Sequence, residues 1–408
     1  MSDGNDPVRI ATVRMIPETA THIAQPTARK FAQRLAMFYG TVFGSSGFYL
    51  PFFPVWLKAI GIDPAWIGVI LAVPSTTRFT TLPFITEFAE RHHALRQTMI
   101  VCAFLTMFGF AVVGTLREPL AILVMFALTA VVWTPLTALT DGYALKGVVR
   151  FGFNYGPLRL WGSAAFVVGA LACGLVVNWL DGIKLIWVIV GAMVLSAFVS
   201  LGLQPLGAPV GDGKVLSKAS ALLRDPGFLA IAVATALIQG SHAGYYTFAS
   251  ITWQAAGYDG LTIAGLWTLG VLAEIVLFAL SPRITWVPAT LVILGGLGAL
   301  LRWTLTAQTL PLPVLVVVQL LHGATYGLTQ LGTMGLLLQH VPQHLMARAQ
   351  GYVTACTGLV MSTMAVLSGA IYSRYGEGVY YVMATLGLAG ACVIWLGRKR
   401  VDQRLTEV

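Results

Sequence analysis

The sequence predicts an all-α polytopic membrane protein, with twelve transmembrane helices in two pseudo-symmetric six-helix bundles. Three observations predict it. The 408 residues are 57% hydrophobic and only 10% charged, whereas a soluble domain carries about 25% charged residues. Lysine and arginine fall in alternate loops between long apolar runs. A stretch near the start of the chain recurs, in register, in its second half.

A crossing helix needs about 20 apolar residues. Such runs occupy 33–57, 64–86, 97–116, 119–143, 157–179, 184–203, 227–251, 261–281, 286–306, 311–338, 348–372 and 378–396. Pro51, Pro54, Pro74 and Pro135 interrupt several of them; membrane helices tolerate proline where neighbours re-satisfy the backbone. The runs divide the chain into a tail at 1–32, a bundle at 33–203, a Gly- and Pro-containing linker at 204–226, a second bundle at 227–396 and a tail at 397–408. With the N-terminus inside, cytoplasmic segments hold nineteen Lys and Arg and external loops four. That asymmetry puts both termini in the cytoplasm.

The same placement answers the net charge of +9. Basic residues that alternate along the chain are topology signals and make no nucleic-acid face. The lipid bilayer is the expected surrounding, and a monomer the default state. The four cysteines (102, 173, 356 and 392) lie singly inside apolar runs and read as packing residues. No HExxH, GxSxG or phosphate-binding loop occurs. His340 and His344 have ligand spacing, but Pro342 lies between them, so no metal is expected. The longest soluble segment has the size of a linker, which argues against a receptor with an output domain. An enzyme is not expected; a transporter is, with no cofactor.

The repeat is specific. GFYLPFFPVWLKAIGIDPAWIG (47–68) lies beside GYYTFASITWQAAGYDGLTIAG (244–265). Gly47, Tyr49 and Trp56 match Gly244, Tyr246 and Trp253; after one deletion, Gly61 and Asp63 match Gly257 and Asp259. The register then pairs Arg78 with Glu274. A parallel repeat of six and six places a substrate site near the membrane midplane, between the halves.

Charges inside spans mark that site, because an ionisable group at lipid depth is costly unless it faces a cavity or a partner. Glu274 in span eight is the candidate proton carrier, since burial disfavours the charged form of a carboxyl. Its alternative is a static salt bridge with Arg302 of span nine. Arg302 and Arg78 are candidate anchors for a substrate carboxylate, because a guanidinium holds a carboxylate in a two-bond fork. His322 of span ten is a candidate relay. Gln239, His242 and Tyr246 recur at i, i+3 and i+7, one helix face. With Tyr49, Trp267 and Gln319 they are candidate substrate contacts. Gln330 and Tyr39 are further ones, and Trp56 and Trp253, at external span ends, read as an interface belt. Asp141 and Arg159 are candidate gating partners at the cytoplasmic ends of spans four and five.

QGSHAGYYTFASITWQAAGY, LWTLGVLAEIVLFALS, PLRLWGSAAFVVG and LTDGYA resemble the 3-phenylpropionic acid transporter group of the major facilitator superfamily. The resemblance implies proton-coupled uptake of a small aromatic carboxylate across a bacterial inner membrane. A sugar or nucleoside symporter, or an efflux antiporter of the same fold, is the alternative. FYLPFFPVWL (48–57) is similar to the first span of lactose permease, in which an acid on span eight, an arginine on span nine and a histidine on span ten form the coupling site. Glu274, Arg302 and His322 match by span and type. The carboxylate that follows the permease histidine is missing: Thr325 and Tyr326 stand there. The superfamily's signature loop keeps Glu90 and Arg91 as gating candidates but lacks its glycines.

Overall fold

The computed structural model describes residues 21–152, 155–205, 219–342 and 345–401. Residues 1–20 and 402–408 of the expected tails, 206–218 of the linker, His344, and the side chain of Arg159 lie outside the described residues. Among the described residues there is no strand. The helices are α1 (Thr21–Ala59), α2 (Pro64–Thr80), α3 (Leu82–Arg91), α4 (Leu95–Thr115), α5 (Pro119–Trp133), α6 (Pro135–Phe151), α7 (Tyr155–Val177) and α8 (Leu185–Ser200). After the linker come α9 (Pro226–Gly240), α10 (Ala243–Ala255), α11 (Gly260–Leu280), α12 (Pro288–Thr306), α13 (Leu312–His322), α14 (Thr329–His340), α15 (Met346–Tyr375) and α16 (Val379–Val401).

Four pairs are one rod each. α2 and α3 break at Thr81, α5 and α6 at Thr134, and α9 and α10 at Ser241–His242, while a π-helical turn, Gly323–Leu328, joins α13 to α14. The rods are therefore the twelve expected spans. Of the four prolines singled out, only Pro135 opens a new helix; Pro51 and Pro54 stay inside α1, and Pro74 inside α2. α1 begins at Thr21 and α16 runs to Val401, so both helices reach into the segments expected as tails.

The helices are apolar on both sides, because lipid replaces water on the outer face. On α4, Val101, Leu105, Phe108 and Val112 are exposed, while Met99, Cys102, Thr106, Phe110 and Val113 are buried. Among the described residues, eight stretches are long and apolar enough to cross a membrane, Leu95–Thr115, Gly260–Arg283 and Pro288–Thr306 among them.

The repeat is visible in backbone geometry. Gly61 and Gly257 share a φ of 87°, in the left-handed region that favours glycine. Two residues on, Asp63 caps α2 by accepting from Ala65 and Trp66, and Asp259 caps α11 by accepting from the Thr262 amide at 2.8 Å. Hydrogen bonds from Thr262 hold the Asp259 carboxyl below its ordinary range. The cap is therefore complete above the unfolded carboxyl value of about 4 and weakens only as pH falls through the lower folded value. D259A is expected to cost about 1 kcal/mol at neutral pH. In thermal melts, the difference from wild type should shrink in strong acid.

Trp56 and Trp253 are not belt residues. Both are buried, at 0% and 4% exposure, and the Trp56 indole donates to the Ile183 carbonyl at 3.2 Å. The 182–184 turn thus holds the Trp56 ring, and Trp253 packs against Tyr245, with ring centroids 5.9 Å apart. α1 packs on α7 and α8, and α4 lies between α5 and α8; α12 packs on α16, and α9 on α15 and α16. Two seams join these groups, α2 against α15 and α7 against α11. Both are tightest at the end of the molecule that carries the 60–63 and 256–259 turns.

Candidate functional site

Between the seams lies a cavity of about 560 Å³. Its lining comes from α1 (Phe43, Leu50), α2 (Ser75, Arg78), α7 (Phe166), the α9–α10 rod, α11, the α13–α14 rod and α15. Arg78 and Gln350, exposed at the end away from the tight seams, line it there.

The cavity is layered. Tyr246 of α10 and Trp267 of α11 form a shelf, with ring centroids 5.9 Å apart and planes 20° from parallel. Tyr245 extends it, 4.8 Å from Trp267. A hydrogen bond from the Trp267 indole to Ser250 Oγ, 2.9 Å, fixes the ring. Gln239 lies seven residues before Tyr246, and Glu274 seven residues after Trp267. These rods run in opposite directions, so both residues sit about 10 Å below the shelf on the same side. Gln239 is 4% exposed, and its Nε2 has no hydrogen-bond partner among the described residues. An amide donor left unpaired in this way costs about 1–3 kcal/mol until an acceptor arrives.

Glu274 faces His322, whose Nε2 is 3.7 Å from Oε2. Gly270 permits the approach: a Cβ there would stand 3.3 Å from the His322 Cβ. Behind His322 lies Arg302, with no exposed surface. Its Nη1 donates to His322 Nδ1 at 2.9 Å and to Thr325 Oγ1 at 3.3 Å, and its Nη2 donates to Gln319 Oε1 at 3.1 Å. The guanidinium lies against Tyr245 and Trp303, 4.7 and 4.5 Å from their ring centroids. Each such contact contributes about 0.5–2 kcal/mol when dry. Glu274 and Arg302 thus meet through an imidazole, neither as the direct salt bridge nor as the free anchor that the sequence suggested.

His242 is also buried behind the wall, at 0% exposure. It marks the break between α9 and α10. There the His242 amide bonds Gln239 O in place of Ile238 O. The freed Ile238 carbonyl accepts from Ser241 Oγ at 2.6 Å and lies 3.2 Å from His242 Nδ1. His242 Nε2 then reaches Thr325 Oγ1 at 3.0 Å.

Seven predicted residues therefore line the cavity: Glu274, His322, Arg78, Gln239, Tyr246, Trp267 and Gln330. Arg302, His242 and Gln319 form a second layer behind it. Tyr49 lies elsewhere, packed against Phe53, Phe110, Phe126 and Trp133 at 5% exposure. Its repeat partner Tyr246 faces the cavity because the α9–α10 break turns the helix, whereas α1 runs on unbroken. Tyr245, Tyr326, Thr235 and Thr333 are additional residues of the site. Tyr245 was detectable in principle, since its hydroxyl bonds Gln319 (3.1 Å), a residue already singled out as polar at lipid depth.

Of the gating candidates, Asp141 accepts a 2.6 Å bond from Tyr39, which is thereby a clamp and no cavity residue. Arg91 pairs with Glu87 on its own helix at 2.5 Å, and Glu90 is exposed. Arg96 donates to the Leu203 carbonyl at 2.5 Å and ties α4 to the end of α8. His340 bonds Asp225, 2.5 Å away, and no metal-binding group occurs among the described residues.

A family model described as the MFS_1 like family matches residues 32–383. The chain belongs to that family. Within it the chain is similar to the probable 3-phenylpropionic acid transporter of Escherichia coli (strain K12). The two are 34% identical over 87% of this chain and 94% of that protein. It is 25% identical to the maltose permease of Geobacillus stearothermophilus, over 89% and 94%. Among solved structures, the nucleoside transporter NupG superposes with a TM-score of 0.79 at 14% identity, covering 90% of this chain and 99% of that one. A bacterial homologue of the human lysosomal transporter Spinster, inward-facing and unoccupied, gives 0.69 at 12% identity, covering 94% and 100%. These two share the fold. As a member of the MFS_1 like family the protein is a multi-pass secondary transporter of a small molecule, not an enzyme.

Proposed function

We propose that this transporter carries a small aromatic carboxylate of the 3-phenylpropionate class together with protons, by alternating access across a bacterial inner membrane. The observation that carries this reading is the layering of the cavity. A ring-stacking shelf lies above an acid, Glu274, and an unpartnered amide donor, Gln239, at one depth. The substrate ring rests on Tyr246 and Trp267, and its carboxylate takes up Gln239 Nε2. The 34%-identical relative carries the name of such a transporter. With the lysines and arginines counted as topology signals, the sealed end is external, and the conformation is open to the cytoplasm.

Coupling follows from charge. The buried Arg302 guanidinium needs a negative charge within reach, and Glu274 supplies it through His322. A proton on Glu274 leaves the layer net positive, and the substrate carboxylate then replaces the lost charge. Two carboxylates at this depth repel each other, so proton and anion bind together. Arg78, exposed at the open end, draws anions to the mouth.

A nucleoside is the second reading. A nucleobase stacks on the same shelf, and Gln239 and Gln330 suit its polar edge. Both readings are tested by proton movement in vesicles holding the purified protein, after addition of 3-phenylpropionate, its amide, a nucleoside or a disaccharide. Proton uptake with the acid alone supports the proposal; a response to the nucleoside replaces it. Q239L removes a hydrogen bond to a charged group, about 1.5–3 kcal/mol. It is expected to raise the KM for the acid at least about tenfold and to leave the KM for the amide less changed.

A further inference from the structure

We infer that Thr325 and His242 are positioning residues for coupling: through Arg302 they hold His322 as a neutral imidazole with its single proton on Nε2, aimed at Glu274. The inference rests on the proposed proton-coupled reading of the cavity, and it adds a direction to the hydrogen bonds behind it.

The direction follows from one fixed donor. A guanidinium has five N–H groups and no acceptor. The 2.9 Å contact from Arg302 Nη1 therefore makes His322 Nδ1 an acceptor, with no hydrogen of its own. A neutral imidazole carries one N–H, which leaves it on Nε2, the atom that faces Glu274 Oε2 at 3.7 Å. Arg302 Nη1 also donates to Thr325 Oγ1. Thr325 must then send its own hydrogen elsewhere: His242 Nε2, 3.0 Å away and nearer than the His322 carbonyl at 3.3 Å, accepts it. His242 Nδ1 is 3.2 Å from two carbonyls, Ile238 O and Gln239 O, and so bears the second ring's hydrogen. The hydrogens of His242, Thr325 and His322 are thereby placed, from the α9–α10 break to the edge of the cavity.

The local backbone builds this chain. His242 reaches Ile238 O because the break has freed that carbonyl. Thr325 lies in the π-helical turn Gly323–Leu328, which adds a residue to the turn after His322. There Thr325 reaches back to Arg302 and His242, while His322 and Tyr326 line the cavity. The titratable groups around His322 are Glu274 from α11, Arg302 from α12, His242 from the α9–α10 rod and Tyr326 of its own rod.

A second proton on His322 must enter at Nδ1, which requires Arg302 to withdraw. In this arrangement His322 keeps its one N–H turned toward Glu274, 3.7 Å from Oε2, and Glu274 alone takes and releases the transported proton. Thr325, which touches neither substrate nor proton, sets that division by holding Arg302 in place.

The test is the ¹⁵N spectrum of the His322 side chain in selectively labelled full-length protein, with proton-to-substrate ratios measured in vesicles. Wild type should show a bare Nδ1 and a protonated Nε2 throughout the pH range of transport. T325V removes the hydroxyl at nearly constant volume. It should collapse the spectrum to mixed tautomers, lower the proton-to-substrate ratio and shift the pH profile of uptake, with the KM for downhill exchange unchanged. T325S should restore all three. A hydrogen on Nδ1 in the wild type, as the other tautomer or as the imidazolium, overturns the inference whether or not any variant folds. So does T325V with the wild-type spectrum and ratio. Absence of proton movement with aromatic acids would instead sink the proposed transport reaction and leave the nitrogen assignment standing.

Discussion

E274Q is expected to abolish proton-coupled accumulation and to spare downhill exchange. The amide keeps the size and most of the contacts of the side chain, but it can neither take up a proton nor neutralise Arg302. The buried guanidinium then stands permanently without its nearest counter-charge, as if Glu274 were always protonated. The site should therefore bind the anion at any pH, and exchange of labelled for unlabelled substrate should persist. What disappears is the link between the two gradients. Substrate addition should no longer move protons, and a pH gradient should no longer drive substrate uphill. The pH dependence of exchange should flatten, because the group that titrates with transport is gone. H322F would separate this effect from the donor role: it leaves Glu274 ionisable but removes the bridge to Arg302, so proton movement should persist while its ratio to substrate falls. E274Q that still accumulates substrate against a gradient would remove Glu274 from the coupling scheme altogether.

Much of this arrangement was legible in the sequence, and the rest was hidden for definite reasons. The twelve spans follow from run length, and the halves from the Gly61/Gly257 and Asp63/Asp259 turns, whose shared backbone geometry is of the kind that sequence spacing reports well. Glu274, His322 and Arg302 stand out because charge at lipid depth is rare. Which of them touches the cavity was not legible. Facing is decided by helix rotation, and the two features that set it here have no strong sequence mark. The break at Ser241–His242 contains no proline, and the π-helical turn at Gly323–Leu328 looks like any small-residue stretch. Without them the i, i+3, i+7 face of Gln239, His242 and Tyr246 reads as one surface; with them His242 turns inward. Tyr49 shows the converse error: repeat equivalence to Tyr246 suggested a shared role, but α1 stays regular and keeps Tyr49 in an aromatic core. Trp56 and Trp253 read as belt residues because the contacts that bury them, the Ile183 carbonyl and the Tyr245 ring, cannot be seen in a linear pattern.

The second large effect belongs to the sealed end, which the proposed topology makes external. A Cβ on Gly174 of α7 would stand 2.5 Å from the Gly260 carbonyl oxygen and 2.7 Å from the Ala264 Cβ of α11. Ordinary carbon–oxygen contacts between helices are about 3.3–3.6 Å. The Gly260 amide is held there by Asn178 Oδ1 at 2.7 Å, so the two backbones cannot slide apart without losing that bond. The α2–α15 seam has the same construction: a Cβ on Gly68 would meet the Ala365 carbonyl at 2.5 Å. Gly174→Leu should therefore penalise the closed seam and leave the opposite conformer, in which α7 and α11 part, untouched. Overpacking costs about 1–3 kcal/mol, which shifts the equilibrium away from the form in which this seam is closed by about 5–150-fold. Net uptake should fall in proportion, because each cycle must pass through the penalised state, while binding from the external side should be retained or improved. Labelling of a cysteine placed at Gln350, which lines the open end of the cavity, reads the shift directly: it should slow in the Gly174→Leu background with the native cysteines replaced. Gly191→Leu is the control, since a Cβ at Gly191 meets nothing within 4 Å. If Gly174→Leu transports and labels like that control, the seam is not the surface that opens, and the halves must part elsewhere.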